Sequence, residues 1–285
     1  MSSIEKPDWL KVRFGINDNF KDIRSIVKKY RLHTVCEEAR CPNQSECWDR
    51  RAATLMILGD VCTRNCRFCA VKSGSPKTVD TNEPYNVGRA VRLMSLKYCV
   101  ITSVTRDDLG DGGASVWADS IREIREQNKD CKIEVLIPDF QGDEESLMKI
   151  FDVKPDIIGH NLETVKDLYK RVRPQADYKR SLGVLSRSKQ QGFVTKTGIM
   201  VGLGEDKTQV LSLMKEALDV GCDIFTVGQY LQPTKDHLPV HRYVHPDEFE
   251  YYRVEGLKLG FRSVMSGPLV RSSYHADENI KLLAN

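Results

Sequence analysis

Apolar and polar positions follow two different rhythms along this chain. After Arg51, short apolar runs rich in β-branched residues predict strands; they lie at Thr54–Leu58, Tyr98–Val104, Lys132–Ile137, Asp156–Ile158, Val194–Val201, Asp223–Val227 and Arg262–Met265. Between most of these runs, apolar residues recur with helical period. These stretches predict helices at Val87–Leu96, Val116–Gln127, Glu144–Phe151, Val165–Tyr169, Arg180–Gln191, Gln209–Val220 and Pro246–Leu259.

The alternation of strands and helices predicts an α/β fold. Continuous apolar strands separated by helices are typical of a parallel sheet covered by helices. About six such units favour a partial (β/α)6 TIM-type barrel over a doubly wound sheet, although periodicity alone does not decide between the two. In such barrels the catalytic groups lie at the carboxyl ends of the strands, on the loops that lead into the helices.

Three parts of the chain are predicted from this pattern. Residues 1–50 form an N-terminal extension with one helix, Phe20–Leu32, followed by a loop that contains cysteines. Residues 51–265 form the barrel, and residues 266–285 form a C-terminal extension.

Composition fits a soluble globular enzyme, with 40% hydrophobic and 29% charged residues among 285. The net charge of +3 and the lack of a basic stripe give no reason to expect a nucleic-acid partner. No apolar run approaches the length of a membrane span, so we expect no membrane association. The start, MSSIEKPDWLKVRFG, has no apolar core or transit-type pattern. We therefore predict a reducing, cytoplasmic location.

Six of the nine cysteines form two triplets, Cys36/Cys41/Cys47 and Cys62/Cys66/Cys69. The C-x3-C-x2-C spacing of the second triplet supplies three thiolates, which hold a cubane iron–sulfur cluster by three corners and leave one iron open. Disulfides are an alternative, but an odd number of cysteines in a reducing compartment disfavours them. Zinc is a stronger alternative, yet the two spacings differ and His33 is the only nearby histidine. Cys99 and Cys222 lie in apolar stretches and are predicted to be buried hydrophobes.

Polar and glycine-rich segments follow the later strands and are further candidates for the site. They are Thr105–Gly113, His160–Glu163, Gly202–Glu205 and Gln229–Thr234. The GIMVGLGE segment lacks the P-loop lysine and the dinucleotide fingerprint, so a phosphate cradle is not predicted there.

The CTRNCRFC run, with Phe68 before its last cysteine, resembles the radical S-adenosylmethionine superfamily. The upstream run CEEARCPNQSEC together with RSSY (271–274) resembles the lipoyl synthase family more narrowly. The resemblance extends over almost the whole chain, from KPDWLKV through VTRDDLGDGGA and MVGLGE to RSSYHAD. The cysteine and RSSY motifs show no departure from the family pattern.

This resemblance implies two four-iron clusters. Cys62, Cys66 and Cys69 would hold the catalytic cluster, whose open iron would bind S-adenosylmethionine. Cys36, Cys41 and Cys47 would hold an auxiliary cluster as sulfur donor, with Ser273 as its oxygen ligand. Two S-adenosylmethionine cleavages would then allow sulfur insertion at C6 and C8 of an octanoyl group.

The resemblance also implies partners. The octanoyl group would be carried on a lipoyl carrier domain or a glycine-cleavage H protein. Electrons would come from a low-potential reductant such as ferredoxin or flavodoxin, and a cluster-assembly protein would supply iron and sulfide.

Candidate contacts to S-adenosylmethionine lie after the later strands. Asn161 and Glu163 would bond the ribose hydroxyls or the ends of the methionine moiety. Arg173 would pair with the methionine carboxylate, which a guanidinium matches in two-pronged geometry. Gly202 and Gly204 would let the backbone approach the adenine closely.

The sequence leaves several interpretations open. Serine is a good helix cap, so RSSY alone would suggest the start of a helix at 275–283, with Ser272 as the cap even where Ser273 is a ligand. The whole chain is also compatible with another radical S-adenosylmethionine sulfur-insertion enzyme, an iron–sulfur electron-transfer protein or a zinc-stabilised binding module.

Overall fold

The computed structural model describes residues 5–12 and 15–283. The chain folds into two compact units. The N-terminal unit contains residues 15–64, 70–158 and 275–283, and the C-terminal unit contains residues 5–12, 65–69 and 159–274. The ends of both predicted extensions, residues 1–4 and 284–285, lie outside the described residues.

The N-terminal unit begins with helical segments and continues with alternating strands and helices. Its helices are α1 (Asp18–Lys29), α2 (Val35–Glu38), α3 (Gln44–Asp49), α4 (Glu83–Leu93), α5 (Ala114–Gln127) and α6 (Glu144–Asp152). Its strands are β1 (His33–Thr34), β2 (Thr54–Ile57), β3 (Val61–Cys62), β4 (Lys72–Ser73), β5 (Tyr98–Ser103) and β6 (Lys132–Leu136). Two 3-10 helices span Phe140–Gly142 and Ala276–Leu283.

The main strands of this unit are parallel. β2 pairs with β5, where Thr54 lies opposite Val100, and β5 pairs with β6, where Tyr98 lies opposite Lys132. The short β1 is antiparallel to β2, and β3 pairs with β4 in a separate two-stranded sheet. The central strands are buried because helices cover them, which explains their continuous apolar sequence.

The strand β7 (Ile157–Gly159) ends where the chain enters the C-terminal unit. This unit contains the strands β8 (Val194–Val201), β9 (Ile224–Gln229) and β10 (Ser263–Gly267). Its helices are α7 (Tyr169–Val172), α8 (Tyr178–Gln190), α9 (Lys207–Asp219) and α10 (Pro246–Leu259), with 3-10 helices at Asp8–Leu10 and Lys166–Leu168. The three strands are parallel, with β9 paired to both β8 and β10.

Side-chain caps and a proline determine where several of these helices begin. Asp206 and Gln209 form a reciprocal capping box at the start of α9, in which each side chain bonds the backbone N–H of the other. Asp177 accepts the backbone N–H of Arg180 at 2.7 Å and caps α8 in the same way. Proline at the first position of α10 fixes the backbone angle that a helix requires.

Each unit has its own apolar core. In the N-terminal unit the fully buried side chains include Trp48, Trp117 and Ile101, and the ring of Trp48 packs 4.8 Å from that of Phe20. In the C-terminal unit, residues of β8, β9, α9 and α10 form most of one cluster; its members include Val201, Met214, Phe225, Phe249 and Tyr252. These cores account for the periodic apolar positions of the sequence.

The predicted α/β class is confirmed. Six strand–helix units follow one another along the chain from β2 to α10, as expected of a partial (β/α)6 barrel. Cys99 and Cys222 are buried, as predicted, and Cys131 is buried as well. No helix among residues 5–12 and 15–283 combines the length and apolar character needed to cross a membrane.

One local prediction was wrong. The upstream cysteine triplet does not lie wholly in a loop, because Cys36 is in α2 and Cys47 is in α3. The hydroxyl of Thr34 accepts the backbone N–H of Glu37 at 3.2 Å, which starts α2. Cys41 alone lies between the two short helices.

Candidate functional site

The cysteine-rich loop that follows β2 is held by its backbone surroundings. Cys62 ends β3, and its Sγ accepts two backbone N–H groups, from Arg64 at 3.4 Å and from Thr105 at 3.3 Å. Thr63 is fixed to the same segment, since its N–H donates to the carbonyl of Thr105 at 3.0 Å. Hydrogen bonds to sulfur stabilise a thiolate and tune the potential of an iron–sulfur cluster that it binds. The geometry at Cys62 therefore suits a cluster ligand.

A buried ion-pair network lies directly after Cys62. The guanidinium of Arg64 binds Asp107 through two parallel hydrogen bonds of 2.7 and 2.9 Å, and Asp139 through a third of 2.6 Å. Burial by itself lowers the pKa of Arg64, but the hydrogen bonds with Asp107 and Asp139 outweigh this effect and raise the pKa above its ordinary value. The network fixes the backbone that donates to Cys62.

Cys66 and Cys69 lie in a tight turn of the C-terminal unit, in which the N–H of Cys69 donates to the carbonyl of Cys66 at 3.0 Å. Two segments of this unit hold the turn. The N–H of Arg67 donates to the carbonyl of Val172 at 2.9 Å, and the carbonyl of Arg67 accepts the N–H of Leu238 at 3.1 Å. The turn is thus bonded on both of its sides.

Asn161, Glu163 and Arg173, three residues that the sequence suggested as ligand contacts, interact with one another after β7. The guanidinium of Arg173 donates to the carbonyl of Asn161 at 2.8 Å and to the hydroxyl of Tyr169 at 2.7 Å, over whose ring it stacks. Burial raises the pKa of Glu163, while the charge of Arg173 and a hydrogen bond from Asn161 oppose the shift. Glu163 also has a φ of 67°, a backbone strain that is concentrated at functional sites.

Gly202 and Gly204 follow β8 with φ values of 96° and 120°, which favour glycine. A Cβ on Gly202 would lie 2.5 Å from the backbone carbonyl oxygen of Arg242 and 2.2 Å from the side-chain nitrogen of Gln229, so no larger residue fits there. The buried carboxylate of Glu205 accepts the N–H of Gly202 at 2.5 Å and that of Leu203 at 2.9 Å. Glu205 holds this turn; the sequence analysis included it only as the end of the candidate segment Gly202–Glu205 and gave it no role of its own.

The upstream triplet gathers three thiols in the N-terminal unit. Burial raises the pKa of Cys36 to about 11, and the neighbouring Cys41 adds to the shift. Burial likewise raises the pKa of Cys47 to about 12, with further contributions from Cys36 and Cys41. Negative charge on one of these sulfurs disfavours negative charge on its neighbours. A bound cation compensates this charge, and the thiols then become thiolates because a metal ligand must be deprotonated. Three soft donors of this kind fit three corners of an iron–sulfur cluster.

The RSSY segment forms a turn before the last 3-10 helix. Ser273 is half-buried in this turn, in which the N–H of Tyr274 donates to the carbonyl of Arg271 at 2.9 Å. The helix that follows begins at Ala276. The prediction of Ser272 as its cap was wrong, because His275 precedes the first helical residue.

A site for a single metal ion is a different arrangement from a cluster site. Among the described residues, no three His, Cys, Asp or Glu side chains are gathered around one position that would hold such an ion.

Comparisons with known proteins agree with these features. Residues 56–217, more than half of the chain, match the model of the radical SAM superfamily. Residues 2–41 match the N-terminal domain of lipoyl synthase of that family.

Curated relatives extend the match over the whole chain. The lipoyl synthase of Caldicellulosiruptor saccharolyticus is 51% identical over 99% of this chain and 100% of its own. That of Oceanobacillus iheyensis is 54% identical over 97% of this chain and 89% of its own. The mitochondrial lipoyl synthase of Nematostella vectensis is 50% identical over 96% of this chain and 95% of its own.

Solved structures of low sequence identity share the fold. Streptococcus suis SuiB bound to S-adenosylmethionine has a TM-score of 0.61 at 11% identity, over 80% of this chain and 54% of SuiB. Methylornithine synthase has a TM-score of 0.55 at 13% identity, over 93% of this chain and 91% of its own. Both the family predicted from the cysteine motifs and the fold class are confirmed, and this chain belongs to the lipoyl synthase family of radical S-adenosylmethionine enzymes.

Proposed function

We propose that this chain inserts two sulfur atoms, at C6 and C8, into an octanoyl group bound to a carrier protein and so forms the lipoyl group. The strongest support is the full-length identity to lipoyl synthases, 51% for one relative, in a chain that carries both cysteine triplets. An octanoylated protein is the substrate that this family requires. The roles of individual residues rest on this proposal.

The catalytic ligands in this proposal are Cys62, Cys66 and Cys69. When bound there, a four-iron cluster and S-adenosylmethionine supply the one-electron chemistry that attacks an unactivated C–H bond. The residues of the chain contribute position and shielding. The two N–H groups that donate to the sulfur of Cys62 orient it, and the doubly bonded turn keeps Cys66 and Cys69 in fixed places.

The S-adenosylmethionine contacts are assigned to the residues that follow β7 and β8. Glu163 would accept hydrogen bonds from ribose hydroxyls, and Asn161, which bonds its carboxyl group, orients it. Arg173 would face the methionine carboxylate, since its bonds to Asn161 and Tyr169 fix the plane of the guanidinium. Gly204 would admit the adenine because it is exposed and has no side chain, and the buried Gly202 would allow the tight turn that places Gly204 there.

The auxiliary cluster is assigned to Cys36, Cys41 and Cys47, with Ser273 as the fourth ligand. Its sulfide would be the sulfur transferred to the substrate. A single hard oxygen among soft thiolates is the weakest bond to iron, so the iron at Ser273 would leave first when the cluster is consumed. In this division of the chain, residues 1–50 and 266–285 serve the auxiliary cluster, and residues 51–265 serve the catalytic one.

Further partners follow from the chemistry. Each S-adenosylmethionine cleavage consumes one electron, so a low-potential reductant such as ferredoxin or flavodoxin is needed. A sacrificed cluster has to be rebuilt, which requires a cluster-assembly protein. A lipoyl carrier domain or a glycine-cleavage H protein would carry the octanoyl group, in a reducing, cytoplasmic compartment.

Mass spectrometry of an octanoylated carrier peptide tests the proposal. The reconstituted protein is incubated without oxygen with S-adenosylmethionine and dithionite. We expect a product in which two sulfur atoms have replaced two hydrogen atoms, and about eight irons per chain before the reaction. An unchanged peptide with S-adenosylmethionine still cleaved would instead favour another sulfur-insertion enzyme. Iron without any cleavage would favour an electron-transfer protein.

Variants separate the two clusters. Replacing Cys36, Cys41 and Cys47 together by alanine should abolish the sulfur-containing product but leave S-adenosylmethionine cleavage. Cys131→Ala is a matched control, because Cys131 is buried and belongs to neither triplet. Normal product formation by the triple variant would refute the assignment of the auxiliary cluster.

A further inference from the structure

The turn that carries Cys66 and Cys69 depends on a segment far away in the sequence. Residues 230–238 follow β9, and they reach the turn at two points. The N–H of Leu238 donates to the carbonyl of Arg67 at 3.1 Å, and the Nε2 of His237 lies 2.8 Å from the carbonyl oxygen of Cys69. The segment itself is anchored, because the buried hydroxyl of Tyr230 donates to the carbonyl of Leu238 at 2.7 Å.

The contacts of His237 fix the orientation of its ring. A carbonyl oxygen can only accept, so the Nε2 of His237 is assigned as the N–H donor to Cys69. The other ring nitrogen, Nδ1, lies within hydrogen-bond distance of the Thr234 hydroxyl, at 2.8 Å. The Thr234 hydroxyl is itself fixed, since its oxygen accepts the N–H of Asp236 at 3.3 Å. Thr234 therefore holds the ring orientation of His237.

We propose that His237 is a positioning residue of the catalytic cluster, which it serves by fixing the backbone of Cys69. This inference rests on the proposed function, in which Cys69 is a cluster ligand. The ring does not touch the metal or the substrate in this role. It orients a ligand by bonding the carbonyl of Cys69.

The loss of such a hydrogen bond has a typical effect on metal affinity. Removing a hydrogen bond that orients a metal ligand costs roughly 10–100-fold in metal affinity. The three further bonds of the turn, two to Arg67 and one between Cys66 and Cys69, remain in place. We therefore expect loosened iron at the catalytic site without loss of the fold.

Three substitutions of His237 isolate the hydrogen bond. His237→Ala removes it. His237→Gln places an amide N–H near the position of Nε2, whereas the shorter amide of His237→Asn ends near the position of Nδ1 and does not reach Cys69. His245→Ala is the control, because it removes an exposed imidazole elsewhere in the same unit. All variants are made in the chain that has alanine at Cys36, Cys41 and Cys47, so that iron reports on the catalytic cluster alone.

The first measurement is the rate at which a ferrous chelator removes iron from the reconstituted protein without oxygen. The second is the change in the electron paramagnetic resonance spectrum of the reduced cluster when S-adenosylmethionine is added. We expect iron to be released at least about 10-fold faster from His237→Ala and His237→Asn than from the parent chain. His237→Gln and His245→Ala should release it at rates near that of the parent, and Thr234→Val at an intermediate rate.

The outcomes separate the two proposals. A parent chain that binds no four-iron cluster, or whose spectrum ignores S-adenosylmethionine, overturns the proposed function. A parent chain that binds the cluster and releases iron no more slowly than His237→Ala overturns only the role of His237. Equal loss of iron from His237→Gln and His237→Ala also overturns that role, because the ring would then act by its shape and not by its N–H group.

Discussion

Arg64→Ala should destabilise the protein strongly, because Arg64 neutralises a carboxylate that has no access to water. The side chain of Asp139 is 0% exposed and that of Arg64 is 5% exposed, while Asp107 is 28% exposed. Removing one partner of a buried ion pair costs about 3–5 kcal/mol, since the other charge stays buried without compensation. That loss is a large share of the roughly 5–15 kcal/mol that stabilises a typical domain.

Urea unfolding of the cluster-free protein, followed by tryptophan fluorescence, measures this effect. Arg122→Ala is the matched control, because Arg122 forms an exposed ion pair with Asp119 and its loss should cost roughly 0.3–0.5 kcal/mol. Adding Asp139→Asn to Arg64→Ala should restore part of the stability, since the neutral amide carries no charge to bury. A loss for Arg64→Ala as small as that of the control would refute the reasoning, and so would an additive double variant.

Three further predictions concern other parts of the structure. Hydrogen bonds from Ser115 and Lys149 outweigh the effect of burial and hold the pKa of Asp111 below its ordinary 3.8. Its contribution to stability should be complete above about pH 5 and decline as the pH falls below 4, and Asp111→Asn should flatten this part of the stability profile. Gly228→Ala should destabilise by about 1–3 kcal/mol in a thermal melt, because a Cβ there would lie 2.1 Å from the carbonyl oxygen of Val270; Gly110→Ala, with open space around it, should not. Under the proposed function, Ser273→Cys should slow iron loss from the proposed auxiliary cluster and lower the yield of sulfur-containing product; unchanged turnover would contradict the proposed role of the serine.

The main strands were predictable because burial on both faces leaves a continuous apolar run. The run Val194–Val201 coincides with β8, and the run at 132–137 exceeds β6 by one residue. α2 and α3 were not predicted, since helices of four and six residues are too short to show a helical period. A cap signal was nevertheless present, as Thr34 precedes Glu37 by three residues.

The site was predictable only where its chemistry lies in a local motif. The spacing of the cysteines is visible in the sequence, and so is the RSSY segment. The partners that hold the cysteines are not, because Arg64 and Asp139 are 75 residues apart and His237 and Cys69 are 168 apart. No periodicity or spacing rule links such positions, since the fold alone brings them together.

Because the residues that support the cysteines lie far from them in sequence, further functional residues should be sought outside the cysteine loop. The three cysteines of the CTRNCRFC loop lie within eight consecutive positions, but each unit holds its own part of that loop. Cys62 is supported by Thr105 within the N-terminal unit, and Cys69 by His237 within the C-terminal unit. Both supports are hydrogen bonds to a proposed ligand, so under the proposed function their loss should appear first as faster iron release and a shifted potential. A variant search confined to the loop would therefore miss the residues that we expect to determine how tightly iron is held there.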